Sequence, residues 1–276
     1  MPRVHLDTDI GTNPDDACAL ALLLGLTDVE LVGLTTSRDA DGARVRAAGD
    51  VLALAGRTDV RVGQGGTAAA GALLASSVAA GSVVVAAGSA TNVAGLAGAR
   101  VVMMGGWLGT EPLPAGYPSW GPSRDTNVQA DVPAFEQLLA TAASLTLVPF
   151  ATTVRVPLRR RDLEPLRATG RLGAFLADAC ATYAERSGLA ALAATHPALP
   201  RDLVAFLHDP LACAVAVGWG GVRTTTERVR PVVDDGVLHL ERDEGGRDVT
   251  VVADVDADGF HSYWLDAVRA AGRPRD

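Results

Sequence analysis

A chain of 276 residues, 48% hydrophobic and 20% charged, is built like a globular protein with ample material for one sizeable core. Its formal net charge of −8 argues against a broad nucleic-acid surface, which needs clustered cations. All 24 basic residues are arginine, so no lysine can serve as Schiff base, phosphate-loop cation or catalytic ammonium.

Taken in order, "VHLDTD" (4–9) reads as a buried strand and "DDACALALLLGL" (15–26) as the helix after it. The same alternation continues. "VELVGLTTS" (29–37), "SVVVAAGS" (82–89), "RVVMMGG" (100–106) and "SLTLVPF" (144–150) read as strands. "ARVRAAGDVLALAG" (43–56), "ATNVAGLAG" (90–98) and "DVPAFEQLLATA" (131–142) read as helices between them. Strands alternating with helices predict α/β architecture with a doubly wound, mostly parallel sheet. Such folds bind ligands beyond the strand C-termini, which is where Asp7, Asp9, Gly88–Asn92 and Gly105–Gly106 fall.

Between these elements, residues 109–124 form a long Pro/Gly loop with Tyr117 and Trp120, and long irregular loops usually have a function. After residue 150 the pattern becomes helical over 160–218, then β-hairpin-like over 222–255, and ends in a helix over 256–271. No linker or internal repeat interrupts it, so 1–276 is expected to be one domain with 222–255 as a small β extension. Cys18, Cys180 and Cys213 sit among apolar residues, as free thiols of a reducing compartment do. With no visible signal peptide and no apolar run long enough to span a membrane, the expected location is cytoplasmic.

Asp7, Asp9, Asp15 and Asp16 crowd four carboxylates around one turn. On one reading Asp15 only caps the helix and Asp7 turns outward. On the other the carboxylates surround a divalent cation, and oxygen donors without Cys or His favour Ca²⁺ or Mg²⁺ over Zn²⁺.

Two families open this way. Haloacid-dehalogenase-type phosphatases carry Asp-x-Asp and then Thr, but here Thr12 lies one position too far and the Asp15-Asp16 pair has no place in their pattern. "DTDIGTNPDDACALALLL" instead resembles the N-terminal signature of the inosine–uridine-preferring nucleoside hydrolases. "VELVGLTTS", "VLALAGRTDVRVGQG", "AGSATNVAGL", "VVMMGG", "RDTNVQADVPA" and "LHDPLACA" are similar to that family's later motifs, in order, over roughly residues 4–217.

The resemblance implies a Ca²⁺-dependent hydrolysis of the N-glycosidic bond of ribonucleosides to ribose and free base. Asp9, Asp16, Asp209 and the backbone carbonyl of Ala87 would hold the ion, and Asp15 the ribose hydroxyls. Asp9 would also be the base that deprotonates an ion-bound water, and His208 the acid for the departing nucleobase. Asp125 and Asn127 would hold the 5′ side of the ribose, with Met104 beneath the sugar; Asn92 is expected to stabilise its own turn. A role in nucleoside catabolism and base salvage, and a homodimer or homotetramer, are implied likewise.

The departures are local. "SRDA" stands where a Gly-Asn pair is expected, which leaves Asp39, or else Arg38, to do the Asn's work. The segment 64–81 reads as a truncated loop that lacks the family's His. Trp107 and Trp120, in and beside the long 109–124 loop, could stack on the base or could close that loop against the body. Among the remaining histidines, His5, His196 and His239 read as structural, and His261 with Tyr263 and Trp264 could reach the base from the last helix. These departures keep open a catalytically silent ribose- or nucleoside-binding protein of the same fold, beside the disfavoured Mg²⁺-dependent phosphatase.

Overall fold

The computed structural model describes residues 1–273. The first half builds β1 (Arg3–Thr8), α1 (Asp15–Gly25), β2 (Glu30–Thr36), α2 (Ala43–Leu54), β3 (Val62–Gly63), α3 (Ala68–Ala79) and β4 (Val83–Ala87). It continues through β5 (Arg100–Met104), α4 (Thr126–Gln129), α5 (Val132–Thr141) and β6 (Ser144–Val148). The second half adds α6 (Phe150–Thr153), β7 (Pro157–Arg159), α7 (Leu163–Arg167), α8 (Arg171–Ser187), α9 (Leu189–Thr195), β8 (Leu203–Phe206) and α10 (His208–Ala216). Last come β9 (Val222–Asp234), β10 (Val237–Arg242), β11 (Arg247–Val255) and α11 (Ala257–Ala271).

Nine strands form one sheet in the order β10-β9-β11-β6-β5-β4-β1-β2-β3. The six strands β1 to β6 pair in parallel, as the helical crossovers require. Chain order runs outward from β1 in one direction and from β4 in the other, and β1 and β4 are neighbours. Their C-terminal ends, Thr8 and Ala87, therefore lie side by side at the switch point where a crevice opens.

Three segments differ from expectation. The 222–255 region is no appendage, because β11 pairs in parallel with β6 and carries β9 and β10 into the main sheet. Residues 90–98 make only a single 3₁₀ turn (Ala90–Asn92), since Gly95 and Gly98 follow with φ of +72° and +80°. The segment read as a shortened loop is mostly the helix α3. Its alanine run favours helix, and the Thr67 hydroxyl caps it by accepting the Ala70 N–H at 3.2 Å.

Helix α1 is buried along its whole length, which explains a run of Ala and Leu with no polar stripe. At its C-terminal end Gly25 meets α11 so closely that a Cβ there would lie 1.8 Å from the Ala267 carbonyl oxygen. Trp264 of α11 also donates its indole N–H to the Cys18 carbonyl at 3.1 Å. The three cysteines are free and buried. No helix among the described residues is long and apolar enough to cross a membrane.

Candidate active site

Helix α1 begins after Pro14, with no side chain capping its first turn. Asp15 and Asp16 stand in that first turn, where free backbone N–H groups favour negative charge. Helix α10 starts similarly, with Asp209 in its first turn. The two N-termini point at one place, and carboxylate oxygens of Asp15, Asp16 and Asp209 lie within 4.8 Å of one another.

All three acids are buried, and each is harder to ionise than an ordinary aspartate. Burial lifts Asp15 to about 6. Asp16 is lifted well above the usual range by burial and then by the charge of Asp15, and Asp209 by burial and then by both neighbours. Thr8 donates its hydroxyl to Asp16 Oδ1, whereas Asp209 Oδ1 is buried without a partner. Three acids crowded in this way, with one oxygen orphaned, fit a hard divalent cation that would offset their mutual repulsion.

The cluster lines one side of a cavity of about 310 Å³, near the lower end of small-molecule clefts. The Ala87 backbone at the end of β4 also borders it, and its carbonyl accepts from Asn127 Nδ2 at 3.4 Å. Asn127 donates to the Met104 carbonyl too, at 3.1 Å, so one amide ties the ends of β4 and β5 together at the cavity wall. Asp125 is buried beside it, accepts the Gly106 N–H at 2.6 Å on Oδ2 and has no partner on Oδ1. Burial lifts it to about 6. Gly105 and Gly106 have φ of +143° and +98°, which aims that N–H inward; a Cβ on Gly106 would lie 2.8 Å from Leu147.

Asp9 also borders the cavity but stands outside the three-carboxylate group. Its half-exposed carboxylate pairs with Arg44 at 3.2 Å, so Asp15 rather than Asp9 completes the cluster. Asp7 lies behind it, fully buried, and accepts from Thr35 Oγ1 at 2.5 Å and Asn92 Nδ2 at 2.8 Å. Asn92 thereby ties its turn to β1, as expected.

His208 borders the cavity, sandwiched between Phe150 and Phe206 at centroid distances of 5.1 and 5.2 Å. Its Nδ1 lies 2.6 Å from Thr153 Oγ1. Burial, and then the charge of Arg124, push the imidazole down to about 3. At neutral pH the ring is uncharged, which does not match the ready proton donor expected from its sequence position.

Three other expectations place residues where the cavity does not reach. Asp39 caps α2 instead: its two carboxylate oxygens take the backbone N–H groups of Arg44 and Val45, each at 3.0 Å, and the Thr36 hydroxyl at 3.0 Å. Trp107 stacks on Phe150 and donates to the Glu111 carbonyl, and Trp120 meets Phe150 and Phe206 edge-on. Both indoles close the 109–124 loop from behind. His261 reaches Asp162 at 3.3 Å, and Tyr263 stacks on Trp219, away from the cavity.

Sequence reasoning missed Arg124, Phe150, Tyr183 and Phe206, all of which line the cavity. Phe150 and Phe206 end or follow strands, a position that could have flagged them. Tyr183 lies mid-helix in α8 and carried no signal.

Residues 66–262 match the family model described as inosine-uridine preferring nucleoside hydrolase. A search of curated proteins by sequence returned no match. Among solved structures, the chain resembles a plant nucleoside hydrolase with a TM-score of 0.78, at 21% identity over 97% of this chain and 98% of that one. A purine-preferring ribonucleoside hydrolase from Gardnerella vaginalis also superposes at 0.78, at 22% identity over 98% and 99% of the two chains. An inosine-uridine preferring nucleoside hydrolase from Bacillus anthracis gives 0.70, at 17% identity over 98% and 100%. At such identities the structural likeness speaks for the fold.

Proposed function

The chain belongs to the inosine-uridine preferring nucleoside hydrolase family, and from that premise we propose that it cleaves ribonucleosides to ribose and free base with the help of a Ca²⁺ ion. The observation that carries this reading is the trio Asp15, Asp16 and Asp209, buried and mutually repelling beside a nucleoside-sized cavity. Asp16, Asp209 and the Ala87 carbonyl would hold the ion, with Asp15 between them and a ribose hydroxyl. A bound divalent cation supplies a clamp for vicinal hydroxyls and a more acidic water.

The chain's own residues do the remainder. Asp125, whose Oδ1 is free, accepts a sugar hydroxyl, and Asn127 and Met104 floor the same side. Asp9, half-exposed at the cavity edge, takes the proton of the attacking water. The surrounding carboxylates stabilise the positive charge that grows on the sugar as the glycosidic bond breaks. Phe150, His208 and Phe206 present an aromatic wall that stacks on the base and keeps water from it.

One observation favours a second reading, a silent ribose- or nucleoside-binding protein. Arg44 holds Asp9, and an ion-paired carboxylate is a weaker base. A nucleoside panel assayed for reducing sugar, with and without chelator, separates the two. Chelator-sensitive release of ribose supports the hydrolase; nucleoside binding without release supports the silent protein.

A further inference from the structure

The cavity rim carries a cation that the aspartate chemistry does not use. Arg124 closes a 3₁₀ turn (Pro122–Arg124) pinned by its own N–H to the Gly121 carbonyl at 2.9 Å and by the Asp125 N–H to the Pro122 carbonyl at 3.0 Å. Its guanidinium lies 5.4 Å from the Trp120 ring centroid, and Trp120 is itself held edge-on by Phe150 and Phe206. Stacking on a ring fixes the plane of a guanidinium and leaves its N–H edge free. Among the described residues no carboxylate or carbonyl takes up that edge. Arg124 lines the cavity together with the aromatic side chains of Phe150, Tyr183, Phe206 and His208.

A base stacked along the aromatic wall therefore turns an edge toward a donor-only fork. Two adjacent acceptors suit such a fork, and O6 and N7 of a 6-oxopurine are adjacent acceptors. Adenine sets an amino donor beside N7, which leaves one hydrogen bond and opposes N–H to N–H. On the hydrolase reading above, we propose that Arg124 makes this site selective for 6-oxopurine ribonucleosides by donating to O6 and N7 of the base. In that reaction the water oxygen bonds C1′ and gives a proton to Asp9, and the C1′–N9 electron pair leaves with the base. The base then takes a proton from solvent at a ring nitrogen. Until it does, the fork faces the two atoms over which much of its negative charge is spread.

Binding and turnover test this together. Calorimetry with hypoxanthine, guanine and adenine on the wild-type chain and on Arg124→Ala reads recognition without needing catalysis. The oxopurines should bind about ten- to hundredfold more tightly than adenine, the usual range for a two-point contact to a base edge. Arg124→Ala should remove that gap by weakening the oxopurines alone. Arg124→Lys, which keeps the charge and loses the fork, should remove most of it. In turnover, kcat/KM for inosine should fall with Arg124→Ala while adenosine changes little and 7-deazainosine, which keeps only the O6 acceptor, falls less than inosine. Equal binding of adenine and hypoxanthine to the wild type overturns the assignment, as does an equal loss on inosine and adenosine. So does an Arg124→Ala effect confined to inosine 5′-monophosphate, which would mean that the arginine reads phosphate. If no nucleoside is cleaved but the arginine-dependent preference for hypoxanthine stands, the hydrolase reading fails and this one survives.

Discussion

Asp16 is buried, repelled by Asp15, and satisfied by Thr8 on one oxygen only, so its neighbourhood makes chemical sense chiefly with a cation present. Asp16→Ala is expected to abolish stoichiometric Ca²⁺ and activity while leaving the circular dichroism unchanged; elemental analysis that still finds one ion per chain would remove it from the ligand set. Asp9→Asn should lower kcat by ~10²-fold or more, as losing a general base does, with substrate still bound. Turnover near the wild-type rate would pass the role to another group. His208 is the residue whose expectation the structure changes most. A buried neutral ring is a poor acid, so His208→Ala should cost natural nucleosides and p-nitrophenyl riboside alike. A loss ~10²-fold larger on the natural substrates would restore the proton donor. The aspartates were legible because carboxylates crowded at a strand end and helix start have few uses. Asp39 was not, because an Asp that caps a helix through two backbone N–H groups looks identical, in sequence, to one that holds a sugar. Arg124 was hidden likewise: nothing in "PSRD" says that the guanidinium will lie on a tryptophan.

At the scale of elements, α1 matters most, since it carries two of the three clustered acids and has no exposed face. Its seat depends on Gly25, where the backbone of α11 occupies the space of a side chain. Gly25→Ala is expected to cost ~1–3 kcal/mol or more, the penalty for overpacking, and to weaken metal affinity by shifting the helix start. Denaturant titration and a Ca²⁺ isotherm check the two effects separately; unchanged stability would show that α11 yields. Sequence periodicity revealed the alternation of strands and helices because buried parallel strands are short apolar runs. It failed at 90–98, where two glycines end a turn that composition alone reads as helix, and at 68–79, where an alanine run between glycines hid a helix. The destination of β9 to β11 was illegible for another reason: a strand carries no mark of its partner, and β11 finds β6 across a long stretch of intervening chain.

For the whole molecule, buried ionisable groups set the response to pH. Asp7, Asp15 and Asp125 stand at about 6, above the ordinary 3.8, so the stability they contribute is complete below 3.8 and is lost as pH rises through 6. His5 and His208 stand at about 4 and 3, below the ordinary 6.5, and act oppositely, weakening the fold as pH falls below 6.5. With Asp16 and Asp209 also raised, the carboxylates outnumber the imidazoles. Chelated protein should therefore melt at a higher temperature at pH 5 than at pH 7.5, and Ca²⁺ at pH 7.5 should close the gap. A chelated Tm higher at pH 7.5 would mean that the acids are better solvated than their burial implies. The two helix starts that bring these acids together lie far apart along the chain, α1 near the beginning and α10 well into the second half. An ion held between them is a rivet joining distant parts of the backbone, and it cannot be set until both helices have docked. A luminescent lanthanide seated there would behave as a lamp wired to the completed fold, the last signal to come on as the chain assembles and the first to go dark when either helix lets go.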